Sequence, residues 1–135
     1  MKYRKLHHWK YQLIEPFEAT VNIMPLDEIK TEFITLRQNG RLTLAQYYAW
    51  DGASGLCPDM RCMMRGTLIH DALYQLMRLN LISRRYRKAA DQDLKKRILF
   101  DGANTLWAGI VYGGVRVFAR KGVMPLAEEP IVEVP

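Results

Sequence analysis

The chain has 135 residues, enough for one ordinary domain and too few for two. Its 49% hydrophobic and 25% charged residues exclude a globally disordered chain, and its two cysteines exclude a disulfide scaffold. The net charge of +6 permits an acidic protein, anionic lipid or nucleic acid as a partner. Nucleic acid is the least favoured of the three, because the basic clusters lack a recognised nucleic-acid-binding motif.

Neither a membrane span nor a secretion signal is evident in the sequence. No apolar run approaches the roughly 18 residues that a spanning helix needs. The first residues, Met1 to His8, lack the apolar core of a signal peptide. We therefore expect a soluble chain in the cytoplasm.

The first half of the chain predicts antiparallel strands. Residues 11–14 and 17–23 form two segments with loosely alternating apolar residues. Residues 32–37 and 41–45 flank Asn39-Gly40, a pair typical of a two-residue type I′ hairpin turn because both central positions need positive φ.

The second half predicts three helices. Apolar residues recur at helical spacing over residues 63–79, 87–100 and 105–120. The order of strands and then helices favours an α+β domain, an N-terminal antiparallel meander or hairpin followed by a bundle of about three helices. We expect this single domain to cover residues 1–122 and an extended acidic tail to cover 123–135.

A glycine-containing loop joins the two halves. Gly52 and Gly55 allow backbone groups to converge on an ion, and Asp51 contributes carboxylate oxygens. The alternative is a tight turn that leads into the first helix. The loop is therefore a candidate metal-binding segment, with Asp51, Gly52 and Gly55 as its candidate residues.

The first predicted helix carries His70-Asp71, with Tyr74 one turn after the histidine. His70 and Tyr74 share a helical face because they are four residues apart. A histidine beside a carboxylate can act as a general base while the carboxylate holds a cation. A half-buried structural histidine next to an exposed aspartate explains the same pattern without catalysis.

On the second predicted helix, Asp91 shares the inward face with Leu94 and Ile98. If the two helices pack antiparallel, Tyr74 can donate a hydrogen bond to Asp91 in a buried polar network. Asp93, two residues further on, is suited instead to an i,i+4 ion pair with Arg97.

Two motifs carry a resemblance to a known group of proteins. The loop reads D-G-A-S from Asp51, and the helix reads H-D-A-L-Y from His70. In these motifs, and in Lys88-Ala89-Ala90-Asp91, the chain resembles small uncharacterised proteins of phages and prophages. The resemblance covers roughly residues 31–120 and implies a protein expressed in the cytoplasm of a bacterial host, with incorporation into the virion as a further option.

The order of motifs is also similar to that of calcium-dependent secreted phospholipases. This similarity implies His70 as the base that activates water and Asp91 as the acid that orients it. It also implies Asp71 as a calcium ligand, with Gly52 and Gly55 lining the ion. The cysteines that flank the His-Asp pair in those enzymes have no counterparts here.

Two functions are consistent with these patterns. The first is a non-enzymatic phage component, such as a virion protein, an assembly factor or a host-interaction protein, in which the Asp and His residues form a structural network. The second is a calcium-assisted hydrolase of lipid or cell-envelope ester or amide bonds, with His70, Asp91 and Tyr74 as its catalytic group. We expect a protein partner or self-association under the first, and anionic lipid suits the second.

Overall fold

The computed structural model describes residues 1–7, 10–52 and 60–125. Within these ranges, antiparallel strands in two sheets precede three helices, which confirms the predicted α+β class. The strands are β1 (Tyr3–Lys5), β2 (Tyr11–Leu13), β3 (Phe17–Thr20), β4 (Ile29–Lys30), β5 (Ile34–Leu36), β6 (Arg41–Leu44) and β7 (Ala49–Trp50). The helices are α1 (Arg61–Arg78), α2 (Arg87–Phe100) and α3 (Thr105–Phe118), with short 3-10 helices at Arg84–Tyr86 and Arg120–Val123.

The strands form two small antiparallel sheets. One has the order β1-β2-β7 and the other β3-β6-β5-β4. In the second sheet Ile34 lies opposite Leu44, and Leu36 lies opposite Leu42. All four side chains are fully buried, as the two-residue period of a strand requires when one face packs on a core.

The hairpin between β5 and β6 differs from the predicted two-residue turn. The amide of Arg37 donates to the carbonyl of Arg41 and the amide of Gly40 donates to the carbonyl of Arg37, so the loop has three residues, 38–40. Gly40 alone takes a positive φ, +83°, whereas Asn39 does not. The type I′ prediction is therefore wrong. A three-residue loop with glycine in the left-handed region, typical of a G1 bulge, joins the strands instead.

The three helices lie close to their predicted bounds, and α3 ends at Phe118 rather than at residue 120. Asn80 and Gly102, which follow α1 and α2, take positive φ and terminate those helices. The side chain of Asn104 caps α3 by accepting a hydrogen bond from the amide of Trp107 at 2.7 Å.

Helix α1 lies at the centre of the fold. Its buried residues contact the apolar side chains of both sheets, and Met63 joins a second cluster with residues of α2 and α3. Val123, where the predicted tail begins, is buried in the first cluster, and residues 126–135 lie outside the described ranges. The packing therefore brings α1, α2 and α3 together around the polar residues of α1.

Candidate functional site

A buried carboxylate on α2 is the centre of a hydrogen-bonded group that joins all three helices. Asp91 has no solvent exposure. Its Oδ1 lies 2.7 Å from His70 Nε2 and accepts a hydrogen bond from Tyr74 Oη at 2.5 Å. Its Oδ2 accepts a hydrogen bond from Arg116 Nη1 of α3 at 2.7 Å. The predicted contact between Tyr74 and Asp91 is thus confirmed.

These donors keep Asp91 ionised although it is buried. Burial alone raises the pKa of a carboxyl group, but the hydrogen bonds from His70, Tyr74 and Arg116 outweigh it and lower the pKa of Asp91 overall. Since an ionised carboxylate can only accept hydrogen bonds, His70 Nε2 carries a proton. In the neutral ring the other nitrogen, Nδ1, is then the unprotonated one.

Two arginines complete the group, and sequence reasoning did not identify either. Arg87 donates from Nε to Tyr74 Oη at 3.2 Å and from Nη2 to the carbonyls of Val115 and Arg116 at 2.6 and 2.8 Å. It therefore fixes the end of α3 to the start of α2. One signal was available, because Arg116 is the single charged residue in the sequence of α3.

His70 lies between two carboxylates. Its Nδ1 is 3.9 Å from Oδ1 of Asp71, on the side opposite Asp91. Burial of the ring opposes protonation, but hydrogen bonding and attraction from Asp71 and Asp91 outweigh it and raise the pKa of His70. The ring therefore holds a proton more strongly than an exposed histidine and can return it to an acceptor within the site.

Asp71 is held by the backbone that directly follows β7. Its Oδ2 accepts a hydrogen bond from the backbone amide of Asp51 at 3.2 Å, and its side chain remains 30% exposed. Burial raises the pKa of Asp71, and the interaction with His70 opposes that rise. The side chain of Asp51 is more exposed and lies 3.9 Å from Lys10 Nζ.

Strand β7 is fixed against α1 by two side-chain hydrogen bonds. Trp50 Nε1 donates to Thr67 Oγ1 at 3.3 Å, and Tyr48 Oη donates to Gln75 Oε1 at 3.0 Å. Both Tyr48 and Trp50 are buried. These contacts place the Asp51 amide at the rim of the site, because Asp51 directly follows β7.

The described residues offer few oxygen ligands for the predicted calcium site. Ca²⁺ takes six to eight oxygen ligands. Within residues 1–7, 10–52 and 60–125, no group of three or more His, Cys, Asp or Glu side chains could hold a metal ion. Asp51 directs an N–H group, not an oxygen, at Asp71. Gly52 borders the cleft with a positive φ, whereas Gly55 lies outside the described residues, so calcium stays a prediction.

The group opens onto a cleft of about 630 Å³. His70, Asp71 and Tyr74 line it together with Asp51 and Gly52, whereas Asp91 lies behind them with no exposed surface. Its apolar wall comes mainly from α2 and α3, and the lining also includes the cations of Lys10 and Arg78. The apolar wall consists of Met63, Leu94, Val111, Val115 and Phe118.

Comparison with protein-family models, with curated proteins and with solved structures finds no match for this chain. The resemblances in the loop and helix motifs therefore stay predictions.

Proposed function

We propose that the chain is a hydrolase of ester or amide bonds in lipid or cell-envelope molecules, with His70 as its general base. One observation carries the proposal. His70 binds the buried Asp91 carboxylate through Nε2 and lines a cleft of about 630 Å³, so Nδ1 is the nitrogen left to take a proton from water.

The proposed reaction needs only groups that the site contains and a water molecule. His70 Nδ1 removes a proton from water, and the hydroxide oxygen bonds to the carbonyl carbon of the substrate. The bond to the leaving group then breaks, and the same proton passes from Nδ1 to the leaving oxygen or nitrogen. Asp91 stays ionised throughout and stabilises the imidazolium that forms between the two transfers.

Asp71 and Tyr74 act on this chemistry in different ways. Asp71 lies near Nδ1 and adds to the stabilisation of the imidazolium. Tyr74 donates to the same oxygen of Asp91 as His70 does, and the two rings pack at a centroid distance of 4.0 Å. Tyr74 is therefore a positioning residue that fixes the Asp91 carboxylate and the His70 imidazole relative to each other.

The cleft walls favour a substrate with an apolar chain and an anionic group. The lining combines apolar side chains of α2 and α3 with the positive charges of Lys10 and Arg78. Acyl esters of anionic amphiphiles combine both features. Calcium bound by Asp71 would add a further cation.

The proposal is tested by hydrolysis of p-nitrophenyl butyrate and p-nitrophenyl dodecanoate, each with added calcium and with EDTA. We expect activity in the wild type, preference for the longer chain, and a loss of about 100-fold or more in His70→Gln. The control is Gln92→Ala, which alters an exposed residue of α2 outside the cleft lining. Equal rates in wild type and His70→Gln would contradict the proposal.

A structural role is the second candidate, and the complete burial of Asp91 favours it. In that case the network joins α1, α2 and α3 in a phage or prophage protein that acts as a virion component, an assembly factor or a host-interaction protein. His70→Gln would then lower the melting temperature, and the wild type would hydrolyse neither ester. Calcium would shift neither activity nor stability.

A further inference from the structure

Helix α3 has an exposed face that is apolar. Ala108, Val111 and Val115 are buried against α1 and α2. On the opposite side Leu106 and Val117 are 76% and 69% exposed. Helices that are apolar all round are normally covered on every side. The outer face of α3 is therefore a surface that a binding partner would cover.

The outer face of α3 is defined here by its large exposed side chains, Leu106, Ile110, Val117 and Phe118. Phe118 is 71% exposed and also lines the cleft. The cleft therefore opens beside this face. If an apolar surface covers the outer face of α3, a molecule that moves out of that surface beside Phe118 enters the cleft and reaches His70 along its apolar wall.

The surroundings of the outer face are basic. Residues 102–127 contain no Asp or Glu. Arg120 and Lys121 are exposed directly after α3. This combination of apolar side chains and flanking cations is complementary to a surface that is apolar inside and anionic outside.

A second copy of the chain is a poorer complement. In a two-fold contact between two α3 helices each copy presents the same surface, with exposed Arg120 and Lys121 and no Asp or Glu within residues 102–127, so neither copy offers the other an opposite charge. The helix is also too short to cross a membrane, since its 14 residues span about 21 Å. In the described part of the chain, no helix meets the length and hydropathy that a membrane span needs.

We infer that the outer face of α3 docks in the plane of an anionic lipid surface, with Leu106, Ile110, Val117 and Phe118 inserted at the level of the headgroups. Binding itself depends only on this face and its flanking cations. That the docked lipid is also the substrate rests on the proposed hydrolase function. Lipid bound in this way enters the cleft beside Phe118 without passing through water.

The inference is tested by sedimentation with vesicles of phosphatidylglycerol and phosphatidylcholine in equal parts, and with vesicles of phosphatidylcholine alone. We expect binding to the anionic vesicles that weakens as salt is raised. Leu106→Gln with Ile110→Gln should lower the partition coefficient by about tenfold or more, because two inserted apolar side chains are lost. Lys121→Gln should lower it by a few fold.

Two matched controls separate this face from general hydrophobicity and charge. Leu26→Gln removes an even more exposed leucine in the connection between β3 and β4, and Lys30→Gln removes an exposed lysine of β4. Both should bind as the wild type does. Equal binding of wild type and the α3 variant, or no binding at all, would overturn the inference.

Two further measurements separate the docking from the proposed function and from self-association. His70→Gln should bind anionic vesicles as the wild type does and release no fatty acid. A wild type that binds these vesicles without hydrolysing lipid would contradict the proposed hydrolase function and leave the docking inference standing. Light scattering after size exclusion should give a monomer. A dimer that dissociates on Ile110→Gln would show that a second copy covers the face and would overturn the inference.

Discussion

Replacing Asp91 by asparagine tests the buried network with the smallest change of shape. The side chain has no exposure and accepts from His70, Tyr74 and Arg116. An amide keeps one acceptor oxygen. If that oxygen accepts the hydrogen bonds from His70 and Tyr74, the new NH₂ group faces the guanidinium of Arg116. The variant thus loses a charge-assisted hydrogen bond and leaves a buried cation without its anion, which costs about 3 kcal/mol.

The expected loss corresponds to a fall of about 10 °C in melting temperature for a chain of this size. It is measured by thermal and urea unfolding of the wild type and of Asp91→Asn. Asp93→Asn is the matched control, since Asp93 lies on the same helix and pairs with Arg97 at 2.6 Å as an i,i+4 neighbour. That control should lose only about 0.5 kcal/mol. Equal losses in the two variants would show that the burial and ion pairing of Asp91 do not set its contribution to stability.

Three further predictions concern pH and two glycines. Because the folded pKa of His70 is raised above 6.5, its contribution to stability is present below pH 6.5 and lost as pH rises through the folded pKa. Urea unfolding across pH should show this loss, and His70→Gln should abolish it. Gly122→Ala places a Cβ 2.9 Å from the Tyr74 ring and should lower the free energy of unfolding by about 1–3 kcal/mol, measured by thermal unfolding. Its control is Gly109→Ala on α3, where a Cβ meets nothing within 4 Å and should not lower that free energy. Gly40→Val should cost about 1–3 kcal/mol, because φ is +83° and the new Cβ meets a carbonyl oxygen; an unchanged melt would contradict the hairpin geometry.

Periodicity predicted the helices well because the signal is local. The apolar residues of α1, α2 and α3 repeat at helical spacing, and each helix was expected within a few residues of its observed bounds. The contact between Tyr74 and Asp91 also followed from local spacing once the helices were placed antiparallel. The structure confirms two further predictions from helical spacing: Asp91 faces inward, and Asp93 forms an ion pair with Arg97.

The strand half was less predictable. Strands β4 and β7 have only two residues, which is too few for alternation to identify them, and β1 has two adjacent charged residues after Tyr3. The pairing of β2 with β7 joins segments more than 30 residues apart, and no local pattern encodes it. At Asn39-Gly40 the dipeptide indicated a turn correctly. Both a two-residue and a three-residue loop can place a glycine at positive φ, so the sequence did not distinguish between these two loops.

The arginines of the site depend on tertiary structure. Arg87 and Arg116 come from different helices, and their roles appear only when α2 and α3 pack at a particular angle. The apolar periodicity of α3 identifies a helix but not which cation reaches the buried carboxylate. The same holds for the amide of Asp51, since a backbone donor carries no signature in the sequence.

In the proposed reaction His70, oriented by Asp91, removes a proton from water in the cleft. The most direct test is the pH dependence of kcat/KM for ester hydrolysis by the wild type and by His70→Gln. We expect the wild-type value to rise with pH through one ionisation above pH 6.5, as the raised pKa of His70 requires. The variant should be about 100-fold or more slower and lack that ionisation. A wild type without activity, or a variant with the same profile, would contradict the claim.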